Sequence, residues 1–194
     1  MRIIAGEWRG RRLRTPAGGE TRPTSDRVRE AWFSVMGPSV EGARVLDLFS
    51  GSGALGLEAL SRGAREVVFV EKGRRPLHAL EDNIRSLGAG DRASVVRGDA
   101  MAFARRLEAG SFDLALADPP YGRGFAEALV RRFREVPFAQ ELWVEHRTTD
   151  HVPLEEGDWQ RRYGDTALTC VSAGSRDPGA GIGQQSPEPP GVDQ

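Results

Sequence analysis

The chain has 194 residues, 39% apolar and 28% charged, with a formal net charge of −1. That length suits one folded domain that buries about two-thirds of its unfolded surface without disulfides or metals, and no stretch approaches the roughly 18 to 20 continuous apolar residues of a membrane span. Cys170 is the only cysteine and there are three histidines, His78, His146 and His151, so neither a disulfide framework nor a thiolate metal cluster is expected, and without a signal-like start the protein is expected in the cytoplasm.

Residues 1–23 are rich in Gly, Arg and Pro and read as an irregular arm or hairpin with an exposed-looking Trp8. The first 30 residues hold eight arginines against four acidic residues, a local excess of +4, a plausible footprint for a phosphate backbone. Arginine usage is a weak clue here, because Lys72 is the only lysine. Thr24 or Ser25 offers an N-cap for a helix with Val28, Ala31, Trp32 and Val35 at helical spacing, stopped by Gly37-Pro38.

From Ala43 onward, apolar runs at 45–49, 67–71, 94–96, 114–117 and 142–144 alternate with helical stretches at 54–61, 76–87, 100–107 and 125–133. Near-continuous apolar strands alternating with helices predict a mostly parallel α/β sheet covered on both faces. Trp159 to Ala173 reads as an antiparallel edge hairpin around Gly164-Asp165, with Cys170 as a small buried hydrophobe. Beyond Gly174 a tail rich in Gly, Pro, Ser and Gln is expected to be disordered. The expected organisation is a basic arm and helix over 1–38, a catalytic domain over 39–173 and the tail over 174–194. With no large apolar patch in the pattern, a monomer is expected.

Two constellations carry chemistry. In the first, Asp47-Leu48-Phe49-Ser50-Gly51-Ser52-Gly53-Ala54-Leu55-Gly56 runs from a strand through a glycine turn into a helix, where backbone and helix N–H groups can approach a ligand. The spacing of Gly51, Gly53 and Gly56, with Glu71 twenty residues after Gly51, also fits a dinucleotide fingerprint. By itself it leaves NAD and S-adenosylmethionine both open. Asp47 at the strand end and the Phe49-Ser50 step favour S-adenosylmethionine, since an acid suits a cationic amino-acid moiety. Glu71 could accept both ribose hydroxyls or be a solvated acid before Lys72-Gly73. Asp99, followed by Ala100, could bond an adenine amine or cap the next helix.

The second is Asp118-Pro119-Pro120-Tyr121, directly after a strand. Consecutive prolines restrict the backbone so that the Asp118 carboxylate and the Pro119 carbonyl can face one amino group. An exocyclic base amine is a poor nucleophile because its lone pair is delocalised into the ring. Accepting both of its protons favours a tetrahedral nitrogen with the lone pair aimed at a methyl carbon. Tyr121 would stack on the base, which must be unpaired or flipped out.

Asp118-Pro119-Pro120-Tyr121 resembles the four-residue motif of amino-directed methyltransferases. Arg22-Pro23-Thr24-Ser25-Asp26-Arg27-Val28-Arg29-Glu30 and the stretch from Asp47 to Ala64 resemble the RsmD family, enzymes that methylate guanine N2 in 16S ribosomal RNA. The likeness runs from about Ile3 through Val171. It implies a class I S-adenosylmethionine-dependent methyltransferase fold, Rossmann-like, with a mostly parallel seven-stranded sheet, an antiparallel C-terminal edge hairpin and an N-terminal arm. It also implies 16S rRNA or the small ribosomal subunit as partner. Candidate cofactor contacts are Asp47, Phe49, Gly51, Gly53, Glu71, Lys72, Asp99, Ala100 and Asp118, and the catalytic group is Asp118, Pro119, Pro120 and Tyr121. Arg22, Thr24 and Asp26 would border the cofactor or the RNA, or form a capped helix with a solvated face. Arg9, Arg11, Arg12 and Arg14 fit phosphate contacts or a solvated surface. An N6-adenine DNA methyltransferase and a glutamine-directed protein methyltransferase share nearly the same motif. The former is disfavoured because the chain has no room for a separate sequence-reading domain, the latter by Asp118 where Asn is typical and by the basic arm. An NAD-dependent oxidoreductase and a non-catalytic RNA-binding protein are the readings outside this class.

Overall fold

In the computed structural model, residues 1–16 and 26–174 are described, with side chains described from Val28 onward in the second segment. The expected cap at Thr24 or Ser25, the candidates Arg22 and Thr24, the Asp26 side chain and the tail after Gly174 lie outside the described residues.

The described chain runs α1 (Asp26–Met36), β1 (Arg44–Leu48), α2 (Ala54–Ser61), β2 (Glu66–Glu71), α3 (Arg74–Leu87), β3 (Ala93–Arg97), α4 (Ala100–Ala104), β4 (Phe112–Ala117), α5 (Phe125–Glu135), β5 (Ala139–Arg147), β6 (Trp159–Tyr163) and β7 (Thr166–Ser172). Among the described residues no helix is long and apolar enough to cross a membrane. After Met36 the chain tightens into a 3-10 turn over Gly37–Val40, because Pro38 cannot donate to a continuing ladder. The helix expected to reach Leu107 stops at Ala104. Met101 and Phe103 carbonyls take the Arg105 and Arg106 N–H groups, and the Arg132 guanidinium, reaching over from α5, donates to the carbonyls of Ala104, Arg105 and Leu107.

The seven strands form one sheet in the order β3-β2-β1-β4-β5-β7-β6. The first five are parallel, and β7 is antiparallel to both β5 and β6. This is the sheet the resemblance implies, with β7 inserted between β5 and the edge. Two buried clusters cover its faces. One holds α1, α2 and α3 through residues such as Trp32, Leu57 and Leu80 with Trp143 of β5. The other holds α4 and α5 through Ala104, Leu129, Val130 and Phe133 against Leu46, Leu48 and Val144.

The arm belongs to the first of these clusters. Ile3, Trp8 and Leu13 are buried in it, each worth ~2 kcal/mol of apolar burial. Trp8 is therefore not the exposed residue its setting among Gly and Arg suggests. Its indole is 6% exposed and lies beneath the Arg92 guanidinium, 5.0 Å from the ring centre. Arg2 and Arg12 form an antiparallel bridge that closes the arm on itself, and polar anchors tie it to α2 and α3. Glu58 accepts the Ile4 and Ala5 N–H groups at 2.8 and 3.0 Å, Ser61 accepts the Trp8 N–H at 3.0 Å, and Asn83 accepts the Arg14 N–H at 2.8 Å. Gly6 permits this seating: at φ +82° an added Cβ would lie 1.7 Å from the Ser61 carbonyl oxygen.

Candidate functional site

In an open parallel sheet, ligands bind beyond the carboxyl ends of the strands where the strand order reverses. Here that point lies between β1 and β4, which pair in parallel with Leu48 opposite Ala117. The glycine turn after β1 and the Asp118-Pro119-Pro120-Tyr121 turn after β4 thus leave the sheet at one level on adjacent strands, roughly 5 Å apart.

The glycine turn is held from below. Asp47 is 1% exposed, and one of its carboxylate oxygens accepts the Gly56 N–H at 2.9 Å. Burial, followed by the charges of Asp118 and Glu71, pushes its pKa from 3.8 up to about 8. The structure thus places Asp47 beneath the turn, where it braces the backbone through Gly56. Ser50 closes the turn by donating to the Asp47 carbonyl at 2.6 Å. Phe49 adopts φ +62°, a left-handed conformation that costs a bulky residue ~1–2 kcal/mol, and packs its ring 5.5 Å from that of Phe125. Gly53, at φ +87°, leaves no room for a Cβ, which would meet Leu80 at 2.4 Å. Around Gly51, by contrast, nothing lies within 4 Å of such an atom, so this face of the turn is open.

The second and third strands add acids along the same edge. Glu71 is partly exposed at the end of β2, with its carboxylate accepting the Gly51 N–H at 2.8 Å and the Gly73 N–H at 2.6 Å. It bridges the two loops that would flank a ribose. Asp99 caps α4, accepting the Ala102 N–H at 3.0 Å, and pairs with Lys72 at 3.1 Å. That N–H, then the Lys72 ammonium, holds its carboxyl below the usual range. Capping is therefore observed for Asp99, which remains exposed. Ala100 is buried under it.

Asp118 is partly exposed, Pro119 buried and Pro120 exposed. Tyr121 is anchored: its hydroxyl donates to a Glu145 carboxylate oxygen at 2.6 Å, and the Arg147 guanidinium lies 5.5 Å from its ring centre. Burial, then the Glu145 carboxylate that accepts its hydrogen bond, raises the phenol above its ordinary range. A cavity of about 50 Å³ between Pro119, Tyr121, Gly124, Glu127 and His151 lies beside this turn.

The donor set fits S-adenosylmethionine. Glu71 and Asp118 lie close enough to Asp47 for their charges, after burial, to raise its pKa. A ligand carrying a sulfonium and an ammonium offsets the negative charge of Glu71 and Asp118, and the open space at Gly51 lets it approach the turn.

The arm arginines divide. Arg11 donates to the Ser86 carbonyl at 2.7 Å and Arg14 pairs with Asp82 at 2.7 Å, so both help dock the arm on α3. Arg9 and Arg12 are exposed. Sequence reasoning missed Glu145, Glu58, Asn83 and Arg29, all buried. Arg29, on α1, donates to the Arg2 carbonyl and faces Glu58 at 3.8 Å. A charged residue within an otherwise apolar run, as in Leu142-Trp143-Val144-Glu145, was the available signal for Glu145.

A family model described as conserved hypothetical protein 95 matches residues 1–171. The ribosomal RNA small subunit methyltransferase D of Escherichia coli (strain K12) is 37% identical over 162 residues, covering 82% of this chain and 81% of that protein. The solved structure of yhhF from Escherichia coli superposes with a TM-score of 0.77 at 34% identity, over 91% of this chain and 99% of that one. At 22% identity and a TM-score of 0.58, over 80% of this chain and 44% of the other, a Thermus thermophilus 16S rRNA N2 G1207 methyltransferase (RsmC) solved with AdoMet and guanosine shares the class I methyltransferase fold. With a match that spans both the arm and the two turns at the switch point, the chain belongs to the RsmD family of methyltransferases.

Proposed function

We propose that this protein transfers a methyl group from S-adenosylmethionine to the exocyclic N2 amine of a guanine in 16S ribosomal RNA. The observation that carries the reading is the register of β1 and β4, which brings the glycine turn and the Asp118 turn side by side at the switch point.

The chain's own residues divide the work. Gly51 and its neighbours would hold the amino-acid part of the cofactor, Glu71 the ribose, and Asp99 with Lys72 the adenine end. Bound there, the cofactor supplies an electrophilic methyl carbon on a positively charged sulfur. Asp118 and the Pro119 carbonyl accept hydrogen bonds from the two N–H groups of the target amine, which localises the nitrogen lone pair and orients it. Tyr121 gives the base a flat surface once it has left its stack. Asp47 acts one layer down, keeping the turn in shape through Gly56. In this reading the arm and α1, residues 1–38, extend the RNA surface of the catalytic domain over 39–173. The chain works as a monomer in the cytoplasm, without a metal.

Labelled methyl transfer from S-adenosylmethionine to small-subunit particles and 16S rRNA from a strain lacking the protein, followed by nucleoside analysis, tests this. N2-methylguanosine at one position is expected. Label in N6-methyladenine of DNA, in methylglutamine, or in no acceptor would refute the assignment.

A further inference from the structure

Glu145 lies on the core-facing side of β5, 3% exposed, among the buried apolar residues that pack α1 onto the sheet. A carboxylate is costly in such a place unless specific donors hold it. Two come from elements far apart in sequence. The Tyr121 hydroxyl donates to one oxygen at 2.6 Å, and the Trp32 indole N–H of α1 donates to the other at 3.3 Å. Two residues further along the same face of the strand, Arg147 places its guanidinium 5.5 Å from the Tyr121 ring centre. The tyrosine of the motif is thus held at its hydroxyl end by Glu145 and covered on one ring face by Arg147.

We propose that Glu145 and Arg147 are positioning residues for Tyr121: together they fix the plane of its ring, with Arg147 covering one face, so that the opposite face is the stacking surface for the target base. The inference rests on the methyltransferase reading above. It follows that α1 is coupled to base binding through Trp32. The charge of Glu145 is needed because one carboxylate can accept from both Tyr121 and Trp32. A glutamine, with one acceptor oxygen and one NH₂, cannot.

The test is a kinetic cycle on methyl transfer to small-subunit particles with the wild type, Tyr121→Phe, Glu145→Gln and the double variant. Each single change should lower kcat/KM for the RNA on the order of tenfold, as expected for loss of a hydrogen bond to a charged group, with KM for S-adenosylmethionine unchanged. The double variant should be no worse than Tyr121→Phe alone. Losses that multiply, or a Tyr121→Phe enzyme equal to the wild type, would overturn the role of Glu145. Arg147→Met, a change at an exposed position, should lower kcat/KM without altering its salt dependence. A flattened salt slope would make Arg147 a phosphate contact instead, and an unchanged kcat/KM would remove it from the site. One readout does not depend on turnover. In urea unfolding of the same four proteins the two changes should couple, the double variant losing less stability than the sum of the single losses, and additive losses would break the proposed link even if the substrate assignment fails.

Discussion

Replacing Asp47 with Asn isolates the protonation of a single buried group. Asparagine keeps an oxygen that can accept the Gly56 N–H, the bond Asp47 makes at 2.9 Å, but it cannot ionise. In the wild type, burial and two nearby carboxylates raise the Asp47 pKa from 3.8 to about 8, so the folded state holds a proton that the unfolded chain releases above pH ~4. The resulting stability is fully present below the unfolded pKa and is lost as pH rises through the folded one. At 1.36 kcal/mol per pKa unit, and with the group half ionised near pH 8, the loss between pH 6 and pH 8 is about 2 kcal/mol. For a domain of this size that is roughly 4 to 8 °C in Tm. Urea unfolding of the cofactor-free protein at both pH values, wild type beside Asp47→Asn, measures it directly. The wild type should lose about 2 kcal/mol more than the variant. His146 also titrates below its ordinary value through burial, but it is common to both proteins and cancels in the difference. Parallel pH curves would show that Asp47 is ionised in the folded state and that the brace beneath the turn is a charged one.

Gly6→Ala should cost about 2–4 kcal/mol in chemical denaturation, because its Cβ would collide with the Ser61 carbonyl and break the 2.7 Å bond from the Glu7 N–H to that oxygen; a variant as stable as the wild type would mean that the arm is not seated there. Asp118→Ala should abolish turnover with a far smaller loss of S-adenosylmethionine affinity, read by calorimetry, and normal turnover would refute its role at the amine. Replacing Arg9 and Arg12 with Ala should weaken RNA binding and lower the slope of log affinity against log salt by up to ~2 without changing Tm, whereas Arg14→Ala should act through its Asp82 pair on arm docking; an unchanged slope would place the RNA surface elsewhere.

Most of the sheet was legible because its signals are local. Val45 to Leu48, interrupted only by Asp47, and Leu114 to Ala117 are near-continuous apolar runs, as strands covered on both faces require, and the helix of Leu77, Leu80, Ile84 and Leu87 shows its stripe directly. The order of the strands is less local, yet strand-helix alternation with right-handed crossovers leaves few choices. The burial of Trp8 was not legible. Nothing near it in sequence is apolar enough to suggest a core, and its partners come from α2 and the Arg92 turn. A segment whose hydrophobic residues are isolated among Gly and Arg reads as an exposed arm until the surface that covers it is known.

The site shows the same division between what a residue can do and what its neighbours leave it free to do. The spacing of Asp47, Gly51, Gly53 and Glu71 locates the turn, but it does not distinguish an acid facing a ligand from an acid facing a backbone N–H. In the structure Asp47 is buried and one of its oxygens accepts the Gly56 N–H, a contact that the spacing does not reveal. Asp99 could be assigned to a cap or a ligand from sequence alone, and its bond to Ala102 settles the first without removing it from the exposed edge. Tyr121 extends the argument across the sheet. The motif specifies an aromatic ring beside Asp118, whereas its orientation depends on Glu145, twenty-four positions away, and through Glu145 on Trp32 of α1. A catalytic motif in this fold is therefore incomplete as a string of four residues: the turn supplies the groups, and the neighbouring strand decides where they point.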